Sequence, residues 1–539
     1  MTEKARIKYN WRMPRAPLPK PTGVQQTLQQ AVTLHRQGRL DDAERLYNSI
    51  LSAKRDNFDA LHLLGVLMHQ RGRSAEALTL IGKALAANAK SADALLNQAN
   101  VLFAMRRFAE ALSGYERALA LRPDDAELIS NRANTLCELN RPQDAVAAFE
   151  RALALRPGDP DILNNCGNAL LQLNRAAEAL ARYDHALAAR GQDAQALVNR
   201  GNALCDLRRP GDALASYDRA IAIAPDHAEA HWNKSLVLLA QGDFERGWPE
   251  YEWRLRRTND QRTLAQPQWR GEDIAGKTIL LHAEQGFGDT IQFVRYAPLV
   301  AARGAKVVLE VQPSLRPLLS GLSGVSTLVG RGEPLPPFDR HCPLMSLPLV
   351  FRTSLATVPA GVPYLQAPHD RLEPWRNRLP AGKPLRVGLA WSGSPTHRND
   401  HNRSITLSRL APLCVDQGVQ FVSLQREVRE ADAEALGKLP SVFAPGEALQ
   451  DFADTAAVIA LLDLVISVDT GVAHLAGAMG KPVWILLPFN AEWRWLADRD
   501  DSPWYQSARL FRQPAIGDWD SVIAQVQTEL TRQALSASS

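Results

Sequence analysis

The chain has 539 residues, 45% of them apolar and 22% charged, with 33 glycines and 34 prolines. That length implies about three or four folded units, and the composition excludes a wholly disordered, collagen-like or coiled-coil chain. Its 62 basic and 58 acidic residues leave a net charge of +4, too even for a dedicated nucleic-acid binder, so no nucleic-acid partner is expected.

Residues 1–23 are basic and carry Pro14, Pro17, Pro19 and Pro21 without an apolar core segment. They read as a solvated flexible tail, not a signal peptide. The longest apolar stretch, Ala456 to Val468, is interrupted by Asp463. A spanning helix needs about 20 apolar residues, so no membrane span is expected. The five cysteines, Cys137, Cys166, Cys205, Cys342 and Cys414, form no close pair. A reducing, cytoplasmic location is the simplest reading.

From Val24 the sequence repeats with a period of 34 residues through seven registers without a gap. Column 8 is small throughout: Ala31, Gly65, Ala99, Ala133, Gly167, Gly201, Ser235. Column 20 is Ala six times, from Ala43 to Ala213, and then Gly247. Column 24 is large: Tyr47, Ile81, Tyr115, Phe149, Tyr183, Tyr217, Tyr251. Small residues let two helix axes approach, and a large ring is expected to fill the gap to the next repeat. Pro123, Pro157 and Pro225 end second helices. The pattern over 24–257 resembles the tetratricopeptide repeat, an all-α solenoid with a concave face. Residues 258–276 read as a linker.

Columns 6 and 9 of the first helices are expected to face inward. Column 6 holds Asn97, Asn131, Asn165, Asn199 and Asn233, and column 9 holds Asn100, Asn134, Asn168 and Asn202. Positions three apart share a helix face. Asparagine is a mediocre helix former, so nine of them need a reason. A carboxamide both donates and accepts, so such a ladder can grip the backbone of an extended polypeptide. The competing reading is that the side chains bridge neighbouring helices or face water. The ladder resembles that of protein O-GlcNAc transferases, where it grips the acceptor polypeptide.

The second half reads as two α/β lobes, 277–370 and 371–539. A strand at Lys277–Leu281 leads through Gly286-Phe287-Gly288-Asp289 into a helical pattern and then a strand at Lys306–Val311, a βαβ unit. In the second lobe, Arg386–Trp391, Gln420–Leu424, Leu464–Val468 and Lys481–Leu487 read as strands. A helix near Asp518–Leu535 is expected to cross back to the first lobe. Ligands of open α/β sheets bind beyond the carboxyl ends of the strands.

Asp469, Thr470 and Gly471 sit where a strand meets a helix N-terminus, a natural place for phosphate, with His474 in the first helical turn. The alternative is an ordinary capped helix with Asp469 or Thr470 as N-cap. The segment Ser467–Pro482 resembles the donor-binding motif of family 9, heptosyltransferase-like glycosyltransferases, which have the two-lobed GT-B fold. That resemblance implies a nucleotide-diphospho-sugar as co-substrate, with neither cofactor nor metal.

The same resemblance makes Asp289 the candidate general base, in an acceptor-side loop with Gln285, Gly286 and Gly288. His282 is its rival, and a plain helix cap is the alternative. For the donor it implies Arg403, where relatives carry Lys, with Arg398 as rival. Ser392 and Gly393 form a second phosphate turn, and Gln425 is placed to read the base edge. Asp498-Arg499-Asp500-Asp501 reads as surface, and Trp493, Trp495 and Trp504 as packing. The resulting expectation is a protein glycosyltransferase, in the manner of flagellin glycosyltransferases. Transfer to a lipid-linked or lipopolysaccharide saccharide, and a non-catalytic scaffold, are the alternatives.

Overall fold

The computed structural model describes residues 23–257, 262, 264–380, 385–397, 399–415 and 418–538. Apart from Gly23, the expected basic tail lies outside these residues, as does Arg398. The chain divides into two compact units between His227 and Ala228.

The first unit is all α. Twelve helices, from Gly23–Arg36 to Pro210–Ile223, pair as antiparallel hairpins in the 34-residue register. First helices start under side-chain caps at column 34: Asn57, Ser91, Asp125, Asp159 and Asp193 each accept a backbone N–H from the first turn. Column 16 supplies a surface ion pair to each second helix, from Arg39–Asp42 to Arg209–Asp212. Exposed pairs of this kind contribute little to stability.

The ring of column 24 packs against the small column 8 of its own repeat. A β-carbon on Gly167 would lie 2.5 Å from Tyr183 Cε1, and one on Gly201 would lie 2.3 Å from Tyr217 Cε1. Columns 8 and 24 face each other across the hairpin, which is why one stays small when the other is a ring.

The second unit opens with helices Ala228–Ala240 and Phe244–Tyr251, the seventh register of the repeat. Phe244, Trp248 and Tyr251 share one buried cluster with Trp269, Phe293, Trp493 and Trp504 of the α/β region. The seventh pair therefore folds as part of that region's core.

Two parallel sheets follow. The first contains β1 (Thr278–His282), β2 (Lys306–Val311), β3 (Val325–Gly330) and β4 (Arg340–Pro343), in the order β3-β2-β1-β4. The second contains β5 (Leu385–Ala390), β6 (Val419–Ser423), β7 (Val442–Phe443), β8 (Leu464–Val468), β9 (Val483–Leu487) and β10 (Ala508–Arg512), in the order β10-β9-β8-β5-β6-β7. The central strands are buried along their whole length, as parallel strands covered on both faces must be.

The last helix, Trp519–Ser538, does not cross to the first lobe. Its stripe of Trp519, Val522, Ile523, Val526 and Leu530 packs in one cluster with Val387, Leu389, Ile466 and Leu486 of the second sheet. That sheet offers an apolar face matching the stripe, and burying both removes apolar surface from water.

Candidate functional site

The second sheet reverses its strand order beside β5: β6 follows on one side, while β8 lies on the other. Loops leaving β5 and β8 diverge there, and such a switch point opens a crevice. Ser392 and Gly393 lie in the loop after β5, Asp469 and Thr470 follow β8 directly, and Gln425 lies just beyond β6. In the first sheet the equivalent place lies beside β1, whose loop carries Gln285 to Asp289.

The two loops touch. A β-carbon on Gly288 would stand 2.7 Å from His474 Cδ2. The rings of Phe287 and Phe452 pack at 5.0 Å. Asp289 is the third residue of helix Phe287–Phe293, and its Oδ2 accepts the Gly286 amide at 2.8 Å. Its Oδ1 accepts from Arg494 of the second lobe. Gln312 fixes the same loop, donating to the Gln285 carbonyl at 2.8 Å and accepting from Thr290 Oγ1 at 2.9 Å.

On the opposite side, Thr470 is the N-cap of helix Gly471–Ala478, but its side chain caps no amide. Its hydroxyl pairs instead with Ser467 Oγ at 3.2 Å. The Asp469 carbonyl accepts from Arg403 Nη1 at 3.0 Å. Burial raises the Asp469 carboxyl above its ordinary value. His474 stacks on Trp495 and pairs through Nδ1 with Tyr505 Oη at 2.9 Å. Its burial, with Arg494 and Arg295 nearby, pulls the imidazole well below its usual value, so the ring is neutral.

Gly393 lets Arg403 lie flat on the backbone; a β-carbon there would meet Nη2 at 2.5 Å. The Gly393 amide donates to Ser404 Oγ at 3.0 Å, and Gln425 Nε2 donates to Ser392 Oγ at 2.8 Å. Gln425 thus props the loop after β5. The loops bearing Asp289, Asp469, His474, Arg403, Ser392, Gly393 and Gln425 come together in this way, with Gly286 and Gly288.

His282 is placed differently from the expectation for a rival base. It is the last residue of β1, buried, with Nε2 3.2 Å from His341 Nδ1. Burial pushes its imidazole down to about 3. Trp493, Trp495 and Trp504 are all buried. Arg499 and Asp501 form an ion pair at 2.5 Å.

Sequence reasoning missed Arg494, Glu492, Gln292, Arg429 and His397. Arg494 binds Gln292 Oε1 and Glu492 Oε1, each at 2.5 Å, besides Asp289. Arg429 Nη2 donates to Asp400 Oδ2 at 2.6 Å and the Gly393 carbonyl at 2.9 Å. His397 lies within electrostatic reach of Arg403, Asp469, Asp400 and Asp289. A lone arginine between two tryptophans, Trp493-Arg494-Trp495, was the available signal.

The asparagine ladder belongs to the repeats, and much of it serves them internally. Asn97 and Asn100 are corrections: both are fully buried and present no open face. Asn97 Nδ2 lies 2.8 Å from His62 Nε2 of the preceding repeat, and Asn100 Oδ1 accepts the Tyr115 hydroxyl at 2.7 Å. Asn168 and Asn202 take the Tyr183 and Tyr217 hydroxyls, each at 2.8 Å. Asn199 donates to Asn164 at 2.9 Å. Asn131 is buried, and its Nδ2 has no partner among the described residues. Asn134, Asn165, Asn168, Asn202 and, in the second unit, Asn233 are half-buried.

Tetratricopeptide-repeat models match residues 34–101, 90–158, 136–200 and 198–252. The model of glycosyltransferase family 9 (heptosyltransferase) matches residues 447–487, a span that contains Asp469 to His474. Protein FlbA of Caulobacter vibrioides is 28% identical over 329 residues, covering 56% of this chain and 55% of its own. The chain thus spans about half the length of that curated relative. A tetratricopeptide-repeat protein from Parabacteroides merdae is similar at 17% identity, with a TM-score of 0.39 over 44% of this chain and 94% of its own. PilF of Pseudomonas aeruginosa is similar at 20% identity, with a TM-score of 0.35 over 38% of this chain and 94% of its own. The chain is a run of tetratricopeptide repeats followed by an α/β region, part of which is matched by the model of glycosyltransferase family 9 (heptosyltransferase).

Proposed function

We propose that the chain is a glycosyltransferase that moves a sugar from a nucleotide-diphospho-sugar to a serine or threonine hydroxyl of a polypeptide held by the repeats, flagellin being one candidate acceptor. The observation that carries this reading is the direct apposition of the Gly286–Asp289 loop and the Asp469–His474 turn, the latter inside the family 9 match.

In this reading the acceptor oxygen attacks the anomeric carbon as the bond from that carbon to the diphosphate oxygen breaks. The hydroxyl proton passes to Asp289. The departing diphosphate takes the negative charge, met by Arg403 and by the uncapped amides at the start of helix Gly471–Ala478. The buried Arg403 Nε makes no hydrogen bond among the described residues and faces Asp400 Oδ1 only at 3.8 Å, so the guanidinium keeps a donor available for an anion. No metal is required by this chemistry. Within the first unit, the half-buried asparagines Asn134, Asn165, Asn168 and Asn202, with Asn131 and Asn199, form the proposed polypeptide ladder.

The test is a panel of nucleotide sugars offered to the purified chain together with the proteins that copurify with it, read by intact mass. A sugar mass added to a polypeptide by the wild type, and lost in Asp289→Ala, supports the proposal. Donor turnover with transfer only to a saccharide acceptor replaces the polypeptide by a lipid-linked or lipopolysaccharide substrate. Absence of donor binding overturns the enzymatic reading in favour of a scaffold.

A further inference from the structure

We propose that Arg494 is the positioning residue for Asp289, and that the seventh helix pair holds it in place. The inference rests on reading Asp289 as the base. The Arg494 side chain is 9% exposed. Each guanidinium nitrogen meets a fixed acceptor: Nε the Gln292 amide oxygen at 2.5 Å, Nη1 the Glu492 carboxylate at 2.5 Å, Nη2 Asp289 Oδ1. Only a planar fork satisfies three acceptors in these directions. The second Asp289 oxygen accepts the Gly286 amide. The carboxylate is therefore held from both lobes, by one bond to its own loop and one to Arg494, and its rotation is fixed without blocking the remaining lone pairs.

Arg494 is seated through its neighbour. Its Cζ lies 4.7 Å from the centroid of the Trp493 ring. That ring packs edge-on against Trp248 at 5.4 Å and Tyr251 at 5.7 Å, both on helix Phe244–Tyr251. Trp248 is itself anchored, its indole N–H donating to the Thr353 carbonyl at 2.8 Å. A helix pair that continues the repeat in sequence is thus built into the seat of the base. Changes there alter turnover itself, separately from any recruitment of acceptor.

The experiment compares the full-length wild type with Arg494→Gln, Arg494→Lys and Trp248→Phe by two readouts. The first is hydrogen exchange of a peptide spanning residues 285–290, which contains the Gly286 amide bound to Asp289. The second is nucleoside diphosphate release, resolved into kcat and donor KM. Arg494→Gln is expected to speed exchange in that peptide about tenfold and to lower kcat about a hundredfold with donor KM held. Arg494→Lys restores part of each, and Trp248→Phe moves both in the direction of Arg494→Gln. Unchanged exchange in Arg494→Gln overturns the proposal, whether or not turnover is seen. If Arg494→Gln does not fold, unchanged exchange and kcat in Trp248→Phe overturn it. A wild type without turnover defeats the reading of Asp289 as base, while the exchange readout still decides whether Arg494 positions it.

Discussion

Gly288 of the first lobe lies against the ring of His474 in the second: a β-carbon at Gly288 would stand 2.7 Å from Cδ2 and 3.3 Å from Nε2. The ring has little room to yield, because Tyr505 holds its Nδ1 and Trp495 stacks on its face. Gly288→Ala is therefore expected to push the two loops apart and to cost about 1–3 kcal/mol, the usual penalty of overpacking. Thermal unfolding of the purified variant measures the cost. An unchanged melting curve with unchanged donor affinity would contradict this contact.

The ladder asparagines divide by what they already bind. Asn100 is fully buried and carries the Tyr115 hydroxyl. Asn100→Ala removes this buried hydrogen bond and is expected to cost about 1–3 kcal/mol of stability with polypeptide affinity unchanged. Asn134 is half-buried. Asn134→Ala is expected to cost under about 0.5 kcal/mol while weakening polypeptide binding. Chemical denaturation alongside binding of a copurifying polypeptide separates the two. Loss of affinity in the Asn100 variant at full stability would reverse the assignment.

Arg403 has a different weakness from Arg494. It gives one nitrogen to the Asp469 carbonyl and leaves Nε without a hydrogen-bond partner among the described residues. Arg403→Ala is expected to weaken donor binding about ten- to a hundredfold. Arg403→Lys should recover less than half of that free energy, since an ammonium cannot both hold the carbonyl and bridge a diphosphate. Calorimetric titration with the nucleoside diphosphate is the measurement, and a lysine variant with full affinity would argue against a bridging role.

What could be read from the sequence followed from local periodicity. The spacing of Gly167 from Tyr183 repeats in Gly201 and Tyr217, so the hairpins were visible as columns. The strands ending at Val468 and Leu487 were visible as continuous apolar runs. The loops bearing Asp289 and Asp469 were visible as glycine within two residues of an acid at a strand-to-helix turn. Arg494 was hidden because its partners Asp289 and Gln292 lie 205 and 202 residues away in the chain. Pairing over such a distance leaves no periodic trace. The fate of Asn97 was hidden for a related reason. Its partner His62 is 35 residues off, one repeat and one position back, and the columns show which side chains share a face without showing which are covered. The direction of the last helix depended on which sheet offered a matching apolar face, a property of the assembled lobe.

Buried histidines make both units more sensitive to acid. Burial lowers the His62 imidazole to about 4 in the first unit and His282 to about 3 in the second. In the unfolded chain each titrates near 6.5. Between these values the unfolded state binds more protons, so each group's contribution is complete above about 6.5 and is lost as pH falls. At pH 5 the loss is about 2 kcal/mol for each residue. The partner of His62 is Asn97 Nδ2, and a glutamine oxygen can accept the same bond. His62→Gln is therefore expected to shrink the difference in unfolding free energy between pH 7 and pH 5 by about 2 kcal/mol, with little change at pH 7. Denaturant titrations of both proteins at the two pH values make the comparison, and parallel losses in wild type and variant would show that His62 takes up its proton without unfolding the repeats.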